Sequence, residues 1–530
     1  MRTTFPHSYR YLLALALVLP ASSAAADEAG PIVRADTGSV SGVRDARAGL
    51  DEFKGIPYAA PPVGAQRWKP PQPTAAWKGV RTAEHFGPRC MQRPVYSDQV
   101  FHSDGMSEDC LYLNVWKPAH AGNGKLPVLV YFYGGAFITG DSSEARYDGA
   151  SLARHGIVTV TVNYRLDVFG FLALPALAAE SPAHATGNYG LLDQVAALRW
   201  VQRNIAAFGG DPQQVTIGGE SAGSMSVSAL MASPLSKGLM QRAIGESGGV
   251  FGQRQPALRT SAERQGEAYM QHVGAHSLAD LRAMKADVLL KACGDEGVTK
   301  FGLTIDGELL PRSPTAIYEA GTQAHIPLLV GSNSQEGDWK GLFDDKAPTP
   351  GNYRAAVQQE FGTNADEVLR VYPGRNEAEV QTSATALAGD RFMGFPSWRW
   401  MHLQYEKGDG PVYYYHFEQP RPARRDGSAG PDAGAVHSGE IEYALGNLDG
   451  NPGYAWTATD LRVSAVMEGY FANFIKTGNP NGPGLPHWPA VANRDGGLLR
   501  QAIGADTHSY VDRDAARNEL LQRVDPDASL

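Results

Sequence analysis

The stretch "QVTIGGESAGSMSVSALMASP" (residues 214–234) carries the strongest signal for the fold. Its first part, "QVTIGGE", is a short β-branched and apolar run, which is typical of a buried strand. The residues after it read as a helix that Pro234 ends. Between the two elements lies the pattern G-x-S-x-G, centred on Ser221. A serine on a sharp turn from strand to helix is a nucleophile elbow, and its glycines avoid collisions with neighbouring backbone.

The same pattern occurs a second time, centred on Ser247 in "GESGG" (residues 245–249). A serine hydroxyl is a weak nucleophile that needs a general base and backbone N–H donors, so we expect at most one of the two to react. The run "QRAIGE" before Ser247 is a plausible strand, but "GGVFGQRQPAL" after it has no helical periodicity. The local context therefore favours Ser221 as the nucleophile.

The rest of the chain alternates strand-like and helix-like segments, which predicts an α/β fold with a mostly parallel sheet covered by helices on both faces. We expect a single catalytic domain over residues 27–530, because no linker interrupts it. The predicted strands are 126–135, 156–165, 326–334 and 412–419, the predicted core helix is 188–205, the helical insertions are 258–300 and 350–410, and the surface loop is 421–435.

The N-terminal 26 residues have the composition of a secretory signal peptide, with cleavage expected after Ala26. Their apolar run is too short to span a bilayer of about 30 Å, so the mature protein is expected to be secreted or periplasmic. The 530 residues carry a formal net charge of −9 and no concentrated basic stretch, which argues against nucleic-acid binding. No cysteine or histidine cluster predicts a metal site, and no glycine-rich phosphate loop predicts a nucleotide cofactor.

The chain has three cysteines, and an odd number in an exported protein suggests one disulfide and one remaining thiol. Cys90 and Cys110 are the natural pair, because they enclose a short polar loop. Closing such a loop is worth about 3 kcal/mol in the chain-entropy model. Cys293 is left over, and both burial and pairing between chains stay open for it.

Two longer motifs resemble the signatures of the type-B carboxylesterase and cholinesterase family. They are "FGGDPQQVTIGGESAG" (208–223) and "EDCLYLNVWKP" (108–118), and the similarity runs from about residue 53 to about residue 481. The resemblance implies the α/β-hydrolase fold and a chain order of nucleophile, acid and base.

Two stretches downstream of Ser221 match the family's acid and base in that order. "LLVGSNSQEGDW" (328–339) has Glu336 at the position of the family's acid, with Asp338 as the substitute candidate. "GAVHSGEIEYALG" (434–446) has His437 at the position of the base, whereas His416 lies inside a predicted strand and is expected to be structural. The resemblance thus implies a catalytic triad of Ser221, Glu336 and His437.

The resemblance also implies an oxyanion hole in the loop after the first core strand. Its backbone donors would be Gly135, Ala136 and Ala222. Ala136 stands where a third glycine is commoner, and we expect it to serve if its φ is negative. Ser247 is expected to lie behind the triad and to support it by hydrogen bonding.

Two ion pairs carry over from the family by position and are expected to be structural. They are Arg67 with Glu108, and Arg165 with Asp193.

These features predict a serine carboxylic-ester hydrolase that acts on small or medium esters through an acyl-enzyme, without a cofactor. The alternative is a non-catalytic binding or adhesion module, because the family includes members that have lost the nucleophile. A true cholinesterase is not expected, since no tryptophan lies between Cys90 and Cys110 to hold a quaternary ammonium group. Acyl and alcohol preference, including tertiary alcohols, and the oligomeric state stay open.

Overall fold

The computed structural model describes residues 1–3, 30–120, 124–298, 300–343, 346–513 and 515–524. Almost all of the predicted signal peptide, residues 4–26, lies outside the described residues.

Nineteen strands lie within the described residues. In chain order they are β1 (Ile32–Ala35), β2 (Gly38–Ser41), β3 (Val43–Asp45), β4 (Leu50–Pro57), β5 (Val80–Thr82), β6 (Arg89–Cys90), β7 (Met106–Ser107), β8 (Tyr112–Pro118), β9 (Leu126–Phe132), β10 (Val158–Val162), β11 (Gly210–Glu220), β12 (Arg242–Glu246), β13 (Ala257–Leu258), β14 (Thr304–Ile305), β15 (Leu328–Asn333), β16 (Val412–Phe417), β17 (Asn493–Arg494), β18 (Gly497–Ile503) and β19 (His508–Asp512).

The α-helices lie between and after these strands. They are α1 (Ala150–Arg154), α2 (Asp167–Phe171), α3 (Pro175–Glu180), α4 (Tyr189–Asn204), α5 (Ala222–Ala232), α6 (Arg259–His272), α7 (Leu278–Ala283), α8 (Ala286–Ala292), α9 (Pro314–Glu319), α10 (Lys340–Phe343), α11 (Pro350–Phe361), α12 (Ala365–Val371), α13 (Glu377–Gly389), α14 (Phe395–Lys407), α15 (Ile441–Ala444), α16 (Ala458–Thr477) and α17 (Ala515–Val524). A π-helical turn, Asp390–Gly394, joins α13 to α14.

One large sheet organises the molecule. Its strands run in the order β17-β18-β16-β15-β12-β11-β9-β10-β8-β4-β3, and β19 also pairs with β18. The seven strands from β18 to β10 in that order pair in parallel, and the outer strands pair antiparallel. Helices flank the sheet, with α5 against β11 and β12 and α14 against β15 and β16. The prediction of a mostly parallel, helix-covered sheet is confirmed.

The central strands are apolar because they are buried. All five residues of β10 are buried, as are the last five of β9. A strand covered on both faces has no solvent side and therefore loses the alternation of apolar and polar residues. β9 nevertheless ends at Phe132, three residues before the predicted end, since the chain turns away there into a glycine-containing loop.

Parallel strands bring their carboxyl ends to the same edge of a sheet. The chain leaves this edge at Gly134 after β9, at Ser221 after β11, at Ser247 after β12 and near Glu336 after β15. The segment after β16 returns to it, where Val436 forms a bridge with Gln335. Residues far apart in the sequence thus meet at one place. Within the described ranges, no helix is long and apolar enough to span a bilayer.

Candidate active site

Ser221 occupies a strained turn between β11 and α5. Its φ and ψ are 53° and −119°, in a region that L-residues rarely adopt. The two flanking glycines make this turn possible. A Cβ on Gly223 would lie 2.0 Å from the carbonyl oxygen of Phe132, and a Cβ on Gly219 would lie 2.6 Å from backbone atoms of Gly223. Glycine is required here by close packing of the turn against the end of β9.

Three of the predicted residues form a continuous hydrogen-bonded series. His437 Nε2 lies 3.0 Å from Ser221 Oγ, and His437 Nδ1 lies 2.7 Å from Glu336 Oε2. The other oxygen of Glu336 accepts a hydrogen bond from the backbone N–H of Asn333 at 2.7 Å, which fixes the carboxylate. Ser221 and Glu336 are buried, and the side chain of His437 is 24% exposed. Asp338, the substitute acid, is exposed and binds the N–H of Lys340 instead.

This series opens into a cavity of about 770 Å³. Gly135, Ala136 and Ala222 line the cavity beside Ser221. Ala222 is the first residue of α5, so its N–H has no acceptor within the helix. The expected negative φ at Ala136 is wrong: its φ is 54°, and that of Gly135 is 113°. The carbonyl oxygen of Thr139 would lie only 2.1 Å from a Cβ on Gly135, so the loop folds tightly on itself.

Ser247 lies behind Ser221 and has no exposed surface. Its φ of 51° resembles that of Ser221, but its Oγ donates to Glu440 Oε1 at 3.0 Å. The glycines of this second pentapeptide make room for α14. A Cβ on Gly245 would lie 2.2 Å from the ring of Trp400, and one on Gly249 would lie 2.7 Å from the carbonyl oxygen of Pro396.

Three buried glutamates surround the hydrogen-bonded series of Ser221, His437 and Glu336. The sequence did not predict them as site residues. Glu220 Oε1 lies 3.4 Å from His437 Nε2, Glu246 accepts from the hydroxyl of Tyr131 at 2.9 Å, and Glu440 accepts from Ser247. Burial raises the pKa of Glu246 and of Glu440. The sequence does contain a signal for Glu220 and Glu246, because both pentapeptides begin with "GES" and so place a glutamate before each serine. Adjacent parallel strands place Glu220 and Glu246 in register.

Glu220 and His437 are electrostatically coupled. Burial raises the pKa of Glu220 to about 8, and the charge on His437 partly opposes this rise. Burial lowers the pKa of His437, but the charge of Glu220 and the hydrogen bond that the ring donates to Glu336 raise it by more, so the pKa lies above the ordinary value for histidine. A proton on Glu220 removes the charge that raises the pKa of His437. The titration of each group therefore depends on the charge of the other.

Asn333 connects the series to the buried glutamates. Its backbone N–H binds Glu336, while its side-chain amide donates to Glu440 and to the carbonyl oxygen of Val436 at 2.8 Å. Ser247 therefore reaches Glu336 through Glu440 and Asn333, not by direct contact.

The disulfide and the two ion pairs predicted from the sequence are present. Cys90 and Cys110 form a disulfide, and Cys293 is unbridged and buried. His416 lies in β16 and contacts Glu418 at 3.0 Å. The ion pairs between Arg67 and Glu108 and between Arg165 and Asp193 are both present, with shortest distances of 2.5 Å and 2.7 Å. In the described part of the chain, no group of three or more His, Cys, Asp or Glu side chains is arranged to hold a metal ion.

The sequence model of the carboxylesterase family matches residues 29–516. The chain belongs to this family. It is therefore a carboxylic ester hydrolase, as the sequence predicts.

Its relatives include esterases of bacteria. The carboxylesterase is 36% identical to the fumonisin B1 esterase of Sphingopyxis macrogoltabida, over 89% of this chain and 86% of that protein. It is also 36% identical to the para-nitrobenzyl esterase of Bacillus subtilis strain 168, over 93% of this chain and 98% of that protein. A solved structure of a PNB esterase superposes with a TM-score of 0.78 at 33% identity, covering 92% of this chain and 99% of that one. The predicted α/β-hydrolase fold is confirmed by this likeness.

Proposed function

We propose that the carboxylesterase hydrolyses small or medium carboxylic esters through an acyl-enzyme on Ser221. His437 takes the proton of the Ser221 hydroxyl during attack and passes it to the leaving alcohol. Water, activated by the same imidazole, then releases the acid. Glu336 holds the imidazole in the tautomer that presents Nε2 as the base and stabilises the imidazolium that forms.

The observation that carries this proposal is the pair of hydrogen bonds that His437 makes. One ring nitrogen faces Ser221 Oγ at 3.0 Å, and the other faces the fixed carboxylate of Glu336 at 2.7 Å. A base must lie within about 2.6–3.2 Å, measured between heavy atoms, of the group that it deprotonates, and the distance from His437 Nε2 to Ser221 Oγ meets this requirement.

The tetrahedral oxyanion would be held by the backbone N–H groups of Gly135, Ala136 and Ala222. For Ala136 this role does not require the negative φ expected from the sequence, because the residue borders the cavity with a φ of 54°. All three residues border the cavity next to Ser221. Ala222 N–H also lies at the N-terminus of α5, whose dipole favours negative charge. Loss of one such donor costs about 10²–10³ in rate in comparable sites.

Substitution of the proposed nucleophile tests this assignment. Ser221→Ala should lower kcat for a chromogenic short-chain ester by about 10⁶, because removing the nucleophile abolishes nearly the whole contribution of the residues that act with it. Ser247→Ala is the matched control and should keep most of the activity, since its hydroxyl is buried and faces Glu440. An active Ser221→Ala protein with an inactive Ser247→Ala protein would contradict the proposal.

We also propose that residues 1–26 direct export and are removed after Ala26. The composition of this segment supports the proposal. The mass of the N-terminal peptide of exported protein checks it, and an intact Met1 would contradict it.

A further inference from the structure

Two arginines line the cavity at Ser221, and they differ in how their charge is balanced. Arg146 is held by Glu144 at 2.8 Å and by Asp98 at 3.4 Å. Among the described residues, Arg254 forms no ion pair, and the charged or titratable groups that act on it are Arg391 and Tyr96. Arg254 is thus a partly buried cation that no carboxylate of the described chain neutralises.

Arg254 is nevertheless held in a defined position. It ends a short 3-10 helix, Gly252–Arg254, and its Nε donates to the carbonyl oxygen of Phe392 at 3.4 Å. Its guanidinium lies 4.8 Å from the centre of the Phe392 ring. Phe392 belongs to the π-helical turn, an irregularity that occurs often at functional sites.

The same Phe392 ring also contacts His437, with ring centres 4.8 Å apart. The guanidinium and the imidazole therefore share one aromatic neighbour, and both groups border the same cavity. An ester whose carbonyl carbon lies at Ser221 can extend to Arg254 within the same cavity.

The other charges of the cavity do not cancel this cation. Asp98 contacts Arg146 at 3.4 Å, and Glu220 Oε1 lies 3.4 Å from His437 Nε2, so each of these carboxyl groups faces a partner other than Arg254. Lys300 lines the cavity as well and forms no ion pair within the described ranges. The cavity therefore has an excess of positive charge, although the whole chain has a net charge of −9.

We propose that this carboxylesterase prefers esters that carry a free carboxylate, and that Arg254 binds that carboxylate. A guanidinium can donate two parallel hydrogen bonds to a carboxylate, and its charge is retained throughout the physiological pH range. The inference rests on the function proposed above, because it concerns the substrate of the same site. The carboxylate can belong to the acid part or to the alcohol part of the ester.

Two pairs of probes distinguish a carboxylate on the acid part of the ester from one on the alcohol part. For the acid part, monoethyl adipate is compared with the ethyl ester of adipamic acid. For the alcohol part, 4-acetoxybenzoate is compared with 4-acetoxybenzamide. Within each pair a carboxylate replaces a carboxamide of nearly equal size. The kcat/KM of the carboxylate probe divided by the kcat/KM of the carboxamide probe therefore reports recognition of the charge.

We expect the natural enzyme to favour the carboxylate probe by about tenfold or more in at least one pair, as a charge-assisted hydrogen bond would give. Arg254→Gln should reduce that ratio by about tenfold, and Arg254→Lys should reduce it less. Arg259→Gln is the matched control, because Arg259 pairs with Glu263 on α6 and does not line the cavity. It should leave the ratio unchanged.

A ratio of one or below in both pairs would overturn the inference, as would an unchanged ratio in Arg254→Gln. If Arg254→Gln does not fold, the ratio is measured instead with the natural enzyme at increasing ionic strength. The ratio should then fall as salt screens the attraction, and a constant ratio would overturn the inference. Hydrolysis of the carboxamide probes tests the proposed function separately, because these probes carry no charge for Arg254 to bind.

Discussion

Ser221 and Ser247 show why a short pattern does not specify a role at the scale of one residue. Both have a positive φ and both are flanked by glycines. The glycines around Ser221 allow the turn to pack against the backbone of β9, whereas those around Ser247 accommodate the side chain and backbone of α14. The hydroxyl of Ser221 faces the imidazole of His437 at the cavity, and that of Ser247 faces a buried carboxyl.

Glu220 should control the pH dependence of the reaction. As an anion it favours the imidazolium form of His437 and raises the pKa of that group, so glutamine at this position should lower it. The neutral, basic imidazole then becomes available at lower pH. We expect the acidic limb of the kcat/KM profile to move down by about one pH unit in Glu220→Gln.

A control separates this local effect from a change in net charge. Glu263→Gln makes the same charge change on α6, where Glu263 pairs with Arg259, and should leave the limb in place. An unmoved limb in Glu220→Gln, or one that moves to higher pH, would contradict the role assigned to Glu220.

At the scale of elements, long periodic segments were predictable and short ones were not. Helix 188–205 was predicted from its apolar spacing and is found as α4, Tyr189–Asn204. The strand read from "QVTIGGE" begins four residues earlier than predicted, at Gly210. Two-residue strands such as β6 and β7 were not predicted, because two residues cannot show an alternation.

The approach of α5 to the end of β9 yields a stability prediction. Gly223→Ala places a Cβ 2.0 Å from the carbonyl oxygen of Phe132, where neither backbone can yield without moving the Ser221 turn. It should cost at least about 2 kcal/mol of stability and most of the esterase activity. Thermal unfolding and ester hydrolysis together measure the two effects.

Gly218→Ala, in β11 before the Ser221 turn, is the matched control. The nearest atom to its Cβ is a Leu129 side-chain carbon at 3.3 Å, which can shift slightly. This variant should cost less than about 1 kcal/mol. If Gly223→Ala were as stable and active as Gly218→Ala, the close approach would not be a constraint on the turn.

At the scale of the whole molecule, the order of strands in the sheet assembles the site. Ser221 and His437 are 216 residues apart in the chain, and Glu336 and His437 are 101 apart. No local pattern contains such separations, so the partners of Ser221 could be named only through resemblance to a family. The burial of Glu220, Glu246 and Glu440 could not be predicted from composition either, because most glutamates are exposed.

The buried ion pair of Arg165 with Asp193 connects the segment after β10 to α4, and it should contribute to the stability of the fold. Arg165 donates to both oxygens of Asp193, at 2.8 Å and 2.7 Å. Arg165→Ala leaves a buried carboxylate uncompensated and should cost about 3–5 kcal/mol. The double variant Arg165→Met with Asp193→Leu should recover most of that loss in urea unfolding. Equal stability of the single and double variants would show that the uncompensated charge is not the cause.

The central claim, that Ser221 is the nucleophile of an assembled Ser–His–Glu site, is tested most directly by locating a covalent adduct. The folded protein is treated with a fluorophosphonate probe, digested, and analysed by mass spectrometry. The account predicts one adduct, on the peptide that contains Ser221, and none on the peptide that contains Ser247. It also predicts that labelling disappears in His437→Ala, because the hydroxyl then has no base. An adduct on Ser247, or no adduct on the folded protein, would contradict the account.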